Sequence, residues 1–246
     1  MAASKRSRRS TPATAQKTPT HKSPVLFYIA VASVLAGYSA YPSESNPLYP
    51  AIFPSYPIPS KSTSEPTQYG KGPKDLIFVA FYSIVLFAVR DFISEYVARA
   101  VANFWGVTEP GKQKKFIQQF YQAVYFAFIA GFGLYVMKRT PVWFFNMPGL
   151  FEGFPHKTHD APFKVFYLLH SANWVQQALV TFLMLEKPRK DTIVMVGHHI
   201  VTLCAIPLIY KAHMTWFALA LIIPHDISDA LLAVSYKSRR SSLNND

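Results

Sequence analysis

Two adjacent histidines and two aspartates stand in apolar segments of the sequence, where charged groups are rare. His198 and His199 lie in the uncharged run 192–210, and Asp226 and Asp229 lie in the next apolar run. A carboxylate bonded to one ring nitrogen fixes a histidine's tautomer, and the other nitrogen can then accept a proton or attack a carbonyl carbon. Because unpaired carboxylates are costly in hydrocarbon, such residues usually mark a site. The four residues therefore predict general-base or nucleophilic chemistry inside a membrane.

The spacing of these residues places them at similar depth. His198 follows Lys190 by eight residues and Asp229 precedes Lys237 by eight, so each lies about 12 Å from the charged end of its helix at 1.5 Å per residue. Asp226 is one turn deeper and shares a face with Asp229. A short turn joins the two helices, so we expect antiparallel neighbours. The imidazoles should then contact the carboxylates in a pocket that opens toward the cytosol.

The elements that must carry these residues are transmembrane helices. Hydrophobic residues make up 50% of the 246 residues and charged residues only 15%, whereas soluble domains carry about 25% charged residues. Long apolar runs alternate with short charged connectors, and backbone groups in hydrocarbon must be paired within a helix. The sequence predicts an all-α polytopic bundle of about six helices, with spans at 24–41, 76–89 (continuing past Arg90), 116–137, 165–185, 192–210 and 212–236.

The distribution of charge predicts the topology. Lys and Arg are concentrated in the N-terminal tail, in the connector 90–115, and around 187–190 and 237–240. The positive-inside rule then places the N-terminus in the cytosol. The net charge of +12 is not gathered on one folded face, so we expect no nucleic-acid partner. The predicted organisation is a disordered basic tail 1–23, a first helix 24–41, a Pro-rich lumenal segment 42–74, a domain 75–240 and a tail 241–246.

Other interpretations of the polar residues compete with this one. His170, inside a predicted span, suits either an interhelical hydrogen bond or a site, and His156 and His159 are predicted loop residues. Histidines and aspartates also ligate zinc or iron. However, the only His-rich spacing, HKTHD, is predicted on the opposite side of the membrane, so we expect no metal and no cofactor. A proton-coupled transporter predicts internal repeats, and the sequence shows none.

The motifs resemble a known family. RKDTIVMVGHHIVT followed by HDISDALLAVSYK resembles the Lag motif of the TLC-domain (TRAM, Lag, CLN8) superfamily, specifically the ceramide synthases. The upstream blocks YGKGPKDLIFVAFYSIVLFAVRD, KKFIQQFYQAVYFAF and KVFYLLHSANWVQQ are also similar, and together the resemblance covers roughly residues 45 to 240, closest to the fungal branch. Family members continue for about two further spans. The resemblance therefore implies a chain truncated at its C-terminus.

The resemblance implies a multi-pass enzyme of the endoplasmic reticulum membrane. Its reaction transfers a fatty acyl group from acyl-CoA, a co-substrate, to the amine of a sphingoid base (sphinganine, phytosphingosine or sphingosine) and gives ceramide or dihydroceramide. The other partners that the resemblance implies are membrane lipids and, in a homo- or hetero-oligomer, related TLC proteins. The implied residues are catalytic His198, His199, Asp226 and Asp229; substrate-binding His170, Trp174, Gln177 and His225; and, near CoA, Arg189 and Lys190.

Two mechanisms suit these residues. In the first, His198 attacks the thioester to give an acyl-imidazole. His199 then transfers protons, Asp226 orients the ring, and Asp229 holds the amine or its hydroxyl. In the second, the amine attacks the thioester directly and a histidine acts as the base. Gln176 and Gln177 are either interhelical contacts or pocket lining. The alternative function is a catalytically inactive TLC-domain protein that binds lipid or regulates full-length relatives.

Overall fold

The chain folds almost entirely into helices. The structure, a computed structural model, describes residues 25–59, 66–143, 146–183 and 192–242, with side chains described up to residue 233. Within these ranges the elements are, in chain order, α1 Val25–Ala40, α2 Tyr49–Ile52, β1 Pro57–Ile58, β2 Gln68–Tyr69, α3 Lys74–Phe92, a π-helical turn Ile93–Ala98, α4 Arg99–Phe104, α5 Pro110–Lys138, a 3-10 turn Pro148–Leu150, β3 His159–Asp160, α6 Ala161–Phe182, α7 Thr192–Lys211 and α8 Thr215–Ser242. The predicted tail 1–23 lies outside the described residues.

Several of these helices match the predicted spans. Among the helices of the described ranges, four stretches are long and apolar enough to cross a membrane: Lys74–Phe104, Pro110–Lys138, Thr192–Lys211 and Thr215–Ala233. The second span continues past Arg90 as predicted, because the π-helical turn and α4 extend α3. Helix α1 has 16 residues and rises about 24 Å, while the more polar α6 has 22 residues and rises about 33 Å. The prediction of an all-α, multi-pass membrane bundle is confirmed.

The core lies where α5, α6 and α8 meet. Helix α8 packs mainly against α5, and α6 packs against α3. Gly133 of α5 permits this close approach, because a Cβ there would lie 3.0 Å from side-chain atoms of both Phe166 and Ile223. Phe132 adds an edge-to-face contact with Phe166 across the α5–α6 interface. The helices that carry most of the candidate site residues are therefore held by tight aromatic packing.

Helix α7 is placed differently from the prediction. The turn 212–214 joins α7 to α8 as expected, but α7 packs mainly against α6 and makes few contacts with α8. Of the described α7 residues, His199 alone is buried. A three-residue turn makes two helices neighbours at their shared end only, and the packing beyond it is set by the side chains. The expectation that α7 and α8 meet face to face is wrong.

The Pro-rich segment is more ordered than predicted. It contains α2 and the short strands β1 and β2, and β2 also pairs with β3. This antiparallel sheet closes one end of the bundle, which we call the capped end: strands β1 to β3, the turn 212–214 and the adjoining starts of α3 and α6. Residues 60–65 of the segment lie outside the described ranges.

A buried lysine ties the capped end together. The Nζ of Lys164, at the start of α6, donates to the carbonyl oxygens of Ser55 and Gly70, each at 2.7 Å. It also lies 2.8 Å from Oδ1 of Asp75 on α3, and both side chains are almost fully buried. The hydroxyl of Tyr210 on α7 donates to the other oxygen of Asp75 at 2.9 Å. One ion pair therefore fixes three helices relative to one another.

Two further bases of the capped end have shifted pKa values. Burial, reinforced by the charge of Lys164, lowers the pKa of Lys71 to about 8. Burial, with Lys71 as the next cause, lowers the pKa of His159 to about 2. The neutral ring of His159 shares a 2.8 Å hydrogen bond with the buried hydroxyl of Thr215. His159 therefore lies buried in a two-residue strand, not in a loop as the sequence suggested.

Candidate active site

The site is built outward from a histidine and a tryptophan on α6. His170 and Trp174 are four residues apart and share a face of the helix. The indole Nε1–H of Trp174 donates to Nε2 of His170 at 2.7 Å. An indole nitrogen can only donate, so Nε2 of His170 must be the accepting nitrogen. In the neutral ring the proton therefore sits on Nδ1, and Trp174 selects this tautomer.

The protonated nitrogen of His170 points to α8. Its Nδ1 lies 3.6 Å from Oδ2 of Asp226, and both side chains are almost fully buried. This distance is too long for a hydrogen bond, and among the described side chains neither atom has another hydrogen-bond partner. Two polar atoms thus face each other in the interior, close enough for a small shift or a bridging polar group to join them.

The other face of Trp174 contacts the histidine pair. The ring centroid of Trp174 lies 5.4 Å from that of His198 and 5.8 Å from that of His199. The two imidazoles lie 5.8 Å apart, and Phe182 stands perpendicular to His199 at 6.4 Å. His199 is buried and His198 is exposed. Trp174 therefore lies between the imidazoles of α7 and the His170–Asp226 pair.

This arrangement corrects the predicted geometry. Among the described side chains, no hydrogen bond or ion pair joins His198 or His199 to either aspartate. The expected match in depth holds, since His199 lies 12 residues from Lys211 and Asp226 lies 11 residues from Thr215, about 18 and 16 Å along their helices. Asp226 is separated laterally from the imidazoles, because α6 supplies His170 and Trp174 between them.

The two aspartates have different surroundings. Asp226, expected to orient an α7 histidine, faces His170 of α6 instead. Asp229 is partly exposed and lies within electrostatic range of His198 and of His225. Of the two aspartates, Asp229 is therefore the one within electrostatic range of a histidine of α7.

The remaining predicted residues divide into three groups. Gln177 lies two turns from His170 on the same face of α6 and is half-buried. His225 is exposed and its Nδ1 bonds the carbonyl oxygen of Leu221 on its own helix at 2.8 Å, so the structure does not bring it into the cluster. Arg189 and Lys190 lie outside the described residues. The catalytic and binding roles of all these residues stay predictions.

Comparison with known proteins identifies the family. The family model described as TLC domain, TRAM_LAG1_CLN8, matches residues 115–242. This region is more than half of the chain and contains every residue of the cluster described above. The chain belongs to the TLC-domain family.

Curated relatives are similar over most of this TLC-domain chain. Sphingosine N-acyltransferase lac1 of Schizosaccharomyces pombe is 46% identical over 75% of the chain and 47% of its own length. Ceramide synthase LAG1 of Saccharomyces cerevisiae is 39% identical over 80% and 48%. Sphingosine N-acyltransferase-like protein FUM17 of Gibberella moniliformis is 47% identical over 68% and 44%. The chain spans about half the length of these relatives.

The TLC-domain fold also brings in residues that the sequence analysis missed. Tyr121 and Tyr125 of α5 and Asn173 of α6 are buried, and each has a side-chain oxygen without a hydrogen-bond partner in the described part of the chain. Gln176, weighed before as pocket lining or helix contact, is fully buried and its amide has no such partner either. The available signal was two tyrosines one helical turn apart within an apolar span.

A cavity reaches Tyr121 from one end of the TLC-domain bundle. It has a volume of about 430 Å³ and lies between α1, the α3–α4 region, α5 and Val180 of α6. Arg90 and Tyr121 line it, with the guanidinium of Arg90 lying 5.5 Å from the centroid of the Tyr121 ring. Its outer wall carries charged side chains of both signs, including Glu95, Arg99 and Lys114. No group of three or more potential metal ligands occurs among the residues that were described.

Proposed function

We propose that this chain carries the catalytic centre of an acyl-CoA-dependent N-acyltransferase that converts a sphingoid base to ceramide or dihydroceramide. The observation that carries the proposal is the series formed by the buried Asp226 and His170 and the partly buried Trp174, which ends against the rings of His198 and His199. The printed names of the relatives, sphingosine N-acyltransferase and ceramide synthase, support the reaction class.

The proposed reaction has two steps. A ring nitrogen of His198 attacks the thioester carbonyl carbon, the carbon–sulfur bond breaks, and CoA leaves as the thiolate, which takes up the proton that the other ring nitrogen of His198 releases. The amine of the sphingoid base then attacks the acyl-imidazole, the carbon–nitrogen bond to His198 breaks, and His199 accepts the proton lost by the amine and passes it to the departing His198 ring. An acyl-imidazole is a good acyl donor, so each step has a lower barrier than uncatalysed transfer.

The neighbouring groups hold this chemistry in place. Trp174 packs edge-on against both imidazoles and is itself oriented by its bond to His170. Asp229, within electrostatic range of His198, stabilises positive charge that develops on that ring or on the incoming amine. Asp226 and His170 do not contact the imidazoles of α7 and act as positioning residues for Trp174.

The proposal includes the location of the protein. We place the chain in the endoplasmic reticulum membrane with its N-terminus in the cytosol, on the basis of the basic connectors and of the family. The charged part of acyl-CoA then stays in water near Arg189 and Lys190, while the acyl chain enters the bundle. Acyl-CoA and the sphingoid base are the two substrates, and no cofactor takes part.

The test is acylation by the full chain expressed in cells that lack ceramide synthase activity. Membranes receive a labelled sphinganine and a series of acyl-CoAs, and ceramide is measured by mass spectrometry. His198→Ala and His199→Ala should each lower the rate at least 100-fold, the usual scale for a catalytic base or nucleophile. The control His213→Asn, in the turn between α7 and α8, should retain activity within threefold. Equal product from wild type and both alanine variants would overturn the proposal.

The order of the two steps can be measured separately. Purified protein mixed with acyl-CoA alone should release CoA in a burst stoichiometric with enzyme, and the acyl group should be recovered on a peptide containing His198. If CoA appears only when the sphingoid base is added, direct attack by the amine replaces the acyl-imidazole step, although the acyltransferase activity stands.

A further inference from the structure

The interior contains hydroxyl groups that the proposed chemistry does not use. Tyr121 and Tyr125 are 2% and 9% exposed, and their hydroxyl oxygens have no hydrogen-bond partner among the described residues. Their rings stack one turn apart on α5, with centroids 6.2 Å apart. Native proteins satisfy almost all buried polar groups. Two tyrosine hydroxyls on one face of one helix therefore indicate that a polar partner binds there.

The position of Tyr125 connects it to the candidate active site. Helix α5 packs along α8, and Tyr125 lies within electrostatic range of Asp226. Across the interface, Nδ1 of His170 and Oδ2 of Asp226 are also without hydrogen-bond partners in the part of the chain that is described. Asn173 lies one turn from His170 along α6 and has an unpartnered Oδ1. Three helices thus contribute buried polar atoms at about the same depth.

The chemistry of these atoms selects the ligand. Tyrosine hydroxyls and the Asn173 carboxamide each donate and accept hydrogen bonds, which matches the hydroxyl groups of an alcohol. The carboxyl group of Asp226 attracts an ammonium group and repels phosphate. The surrounding wall is aromatic and aliphatic, which suits a hydrocarbon chain. The combination fits a long-chain amino alcohol better than the nucleotide part of CoA.

We propose that Tyr125, together with Tyr121 and Asn173, forms a subsite that hydrogen-bonds the hydroxyl groups next to the amine of the sphingoid base. The inference rests on the proposed function for the identity of the amine substrate. In this arrangement the amine points along α8 from Asp226 toward Asp229, the aspartate within electrostatic range of His198. The subsite then determines which amines are accepted, because an amine without hydroxyl groups leaves the buried tyrosine and amide groups unpaired.

The test compares two amines of equal chain length in binding. Sphinganine carries hydroxyls on C1 and C3, whereas octadecylamine carries none. The full chain in detergent is titrated with each amine, and the rise in melting temperature gives an apparent Kd. Wild type should bind sphinganine at least tenfold more tightly than octadecylamine. Tyr125→Phe, which removes one oxygen, should reduce this ratio about tenfold by weakening sphinganine binding alone.

A matched control separates recognition from folding. Tyr135→Phe removes the same atom from an exposed tyrosine of α5, whose hydroxyl accepts only a long 3.4 Å contact from Arg139 among its described neighbours. It should leave the sphinganine-to-octadecylamine ratio unchanged. The inference is overturned if Tyr125→Phe keeps the wild-type binding ratio, or if wild type shows no preference for sphinganine. If Tyr125→Phe melts at a lower temperature without ligand and still keeps the wild-type binding ratio, Tyr125 has a structural role and forms no subsite.

Steady-state kinetics distinguish a failure of the proposed subsite from a failure of the proposed acyltransferase function. If wild type acylates sphinganine, Tyr125→Phe should raise the KM for sphinganine about tenfold and leave the KM for acyl-CoA within twofold. An unchanged sphinganine KM contradicts the subsite while the acyltransferase proposal stands. If wild type forms no ceramide but keeps the binding preference that Tyr125→Phe loses, the subsite stands and the acyltransferase proposal fails.

Discussion

Replacing Trp174 with phenylalanine tests whether α6 couples the acid of α8 to the imidazoles of α7. The substitution keeps an aromatic ring beside His198 and His199 and removes the N–H that donates to Nε2 of His170 at 2.7 Å. His170 is then free to adopt the other tautomer or to turn away from Asp226. The loss of this hydrogen bond should therefore disturb the site, even though an aromatic ring still packs against His198 and His199.

The size of the effect follows from burial. His170 is 2% exposed, so water does not replace the lost donor, and leaving a buried acceptor unpaired costs about 1–3 kcal/mol. If the transition state bears the whole cost, kcat falls about 5- to 150-fold. The smaller ring also leaves space beside the imidazoles, which adds to the loss. Because the bond is remote from the end of the bundle where we propose that CoA binds, the KM for acyl-CoA should change less than threefold.

The assay is ceramide formation by purified protein at saturating acyl-CoA. Trp216→Phe is the matched control, since Trp216 stacks on His156 at the capped end with ring centroids 3.9 Å apart and should keep kcat within threefold. His170→Phe combined with Trp174→Phe should lose less activity than the sum of the two single losses in free energy, because both substitutions break the same hydrogen bond. Full activity of Trp174→Phe, or strictly additive losses in the double variant, would refute the coupling.

Three other substitutions test the ion pair, the buried histidine and the close helix contact that hold the helices of the candidate active site in place. Lys164→Met leaves the buried carboxylate of Asp75 without its counter-charge. It should lower the free energy of unfolding by about 3–5 kcal/mol, or the melting temperature by about 10 °C. The control Arg139→Met, which removes a more exposed ion pair with Asp160, should change the melting temperature little. Burial holds the pKa of His159 at about 2, below its unfolded value of about 6.5. Because the unfolded chain binds the proton first, wild type should lose stability as the pH falls below about 6.5. In His159→Gln the melting temperature should therefore depend less on pH between 7.5 and 5 than it does in wild type. Gly133→Ala places a Cβ 3.0 Å from two neighbouring helices and should lower the melting temperature, while Gly131→Ala, with no atom within 4 Å, should not.

The helices were predictable because their signals are local. Apolar runs of span length and charged connectors determine where a membrane helix begins and ends, so the spans and the extension of α3 past Arg90 followed from composition. Depth was predictable too, since the rise per residue is constant and places His199 and Asp226 at similar distances from the capped end. None of this required knowledge of side-chain packing.

The lateral arrangement was not predictable, because it depends on which helix faces which. The short turn between α7 and α8 suggested direct contact, yet the packing of α7 on α6 places Trp174 between the imidazoles and Asp226. The ordered cap was missed for a related reason. Strands of two residues show no alternation, and Lys164 at a helix start predicts a solvent-exposed side chain until Asp75 and two carbonyl groups from distant segments surround it.

The capped end and the candidate active site act on the same helix. Lys164 and Trp174 are ten residues apart on α6, about 15 Å along its axis, and a straight helix transmits a rotation at one end to the other. The ion pair with Asp75 and the Tyr210 hydrogen bond fix the rotation of α6 against α3 and α7. That rotation determines whether Trp174 contacts His198 and His199. The buried charges at the cap therefore contribute to the geometry of the site as well as to stability.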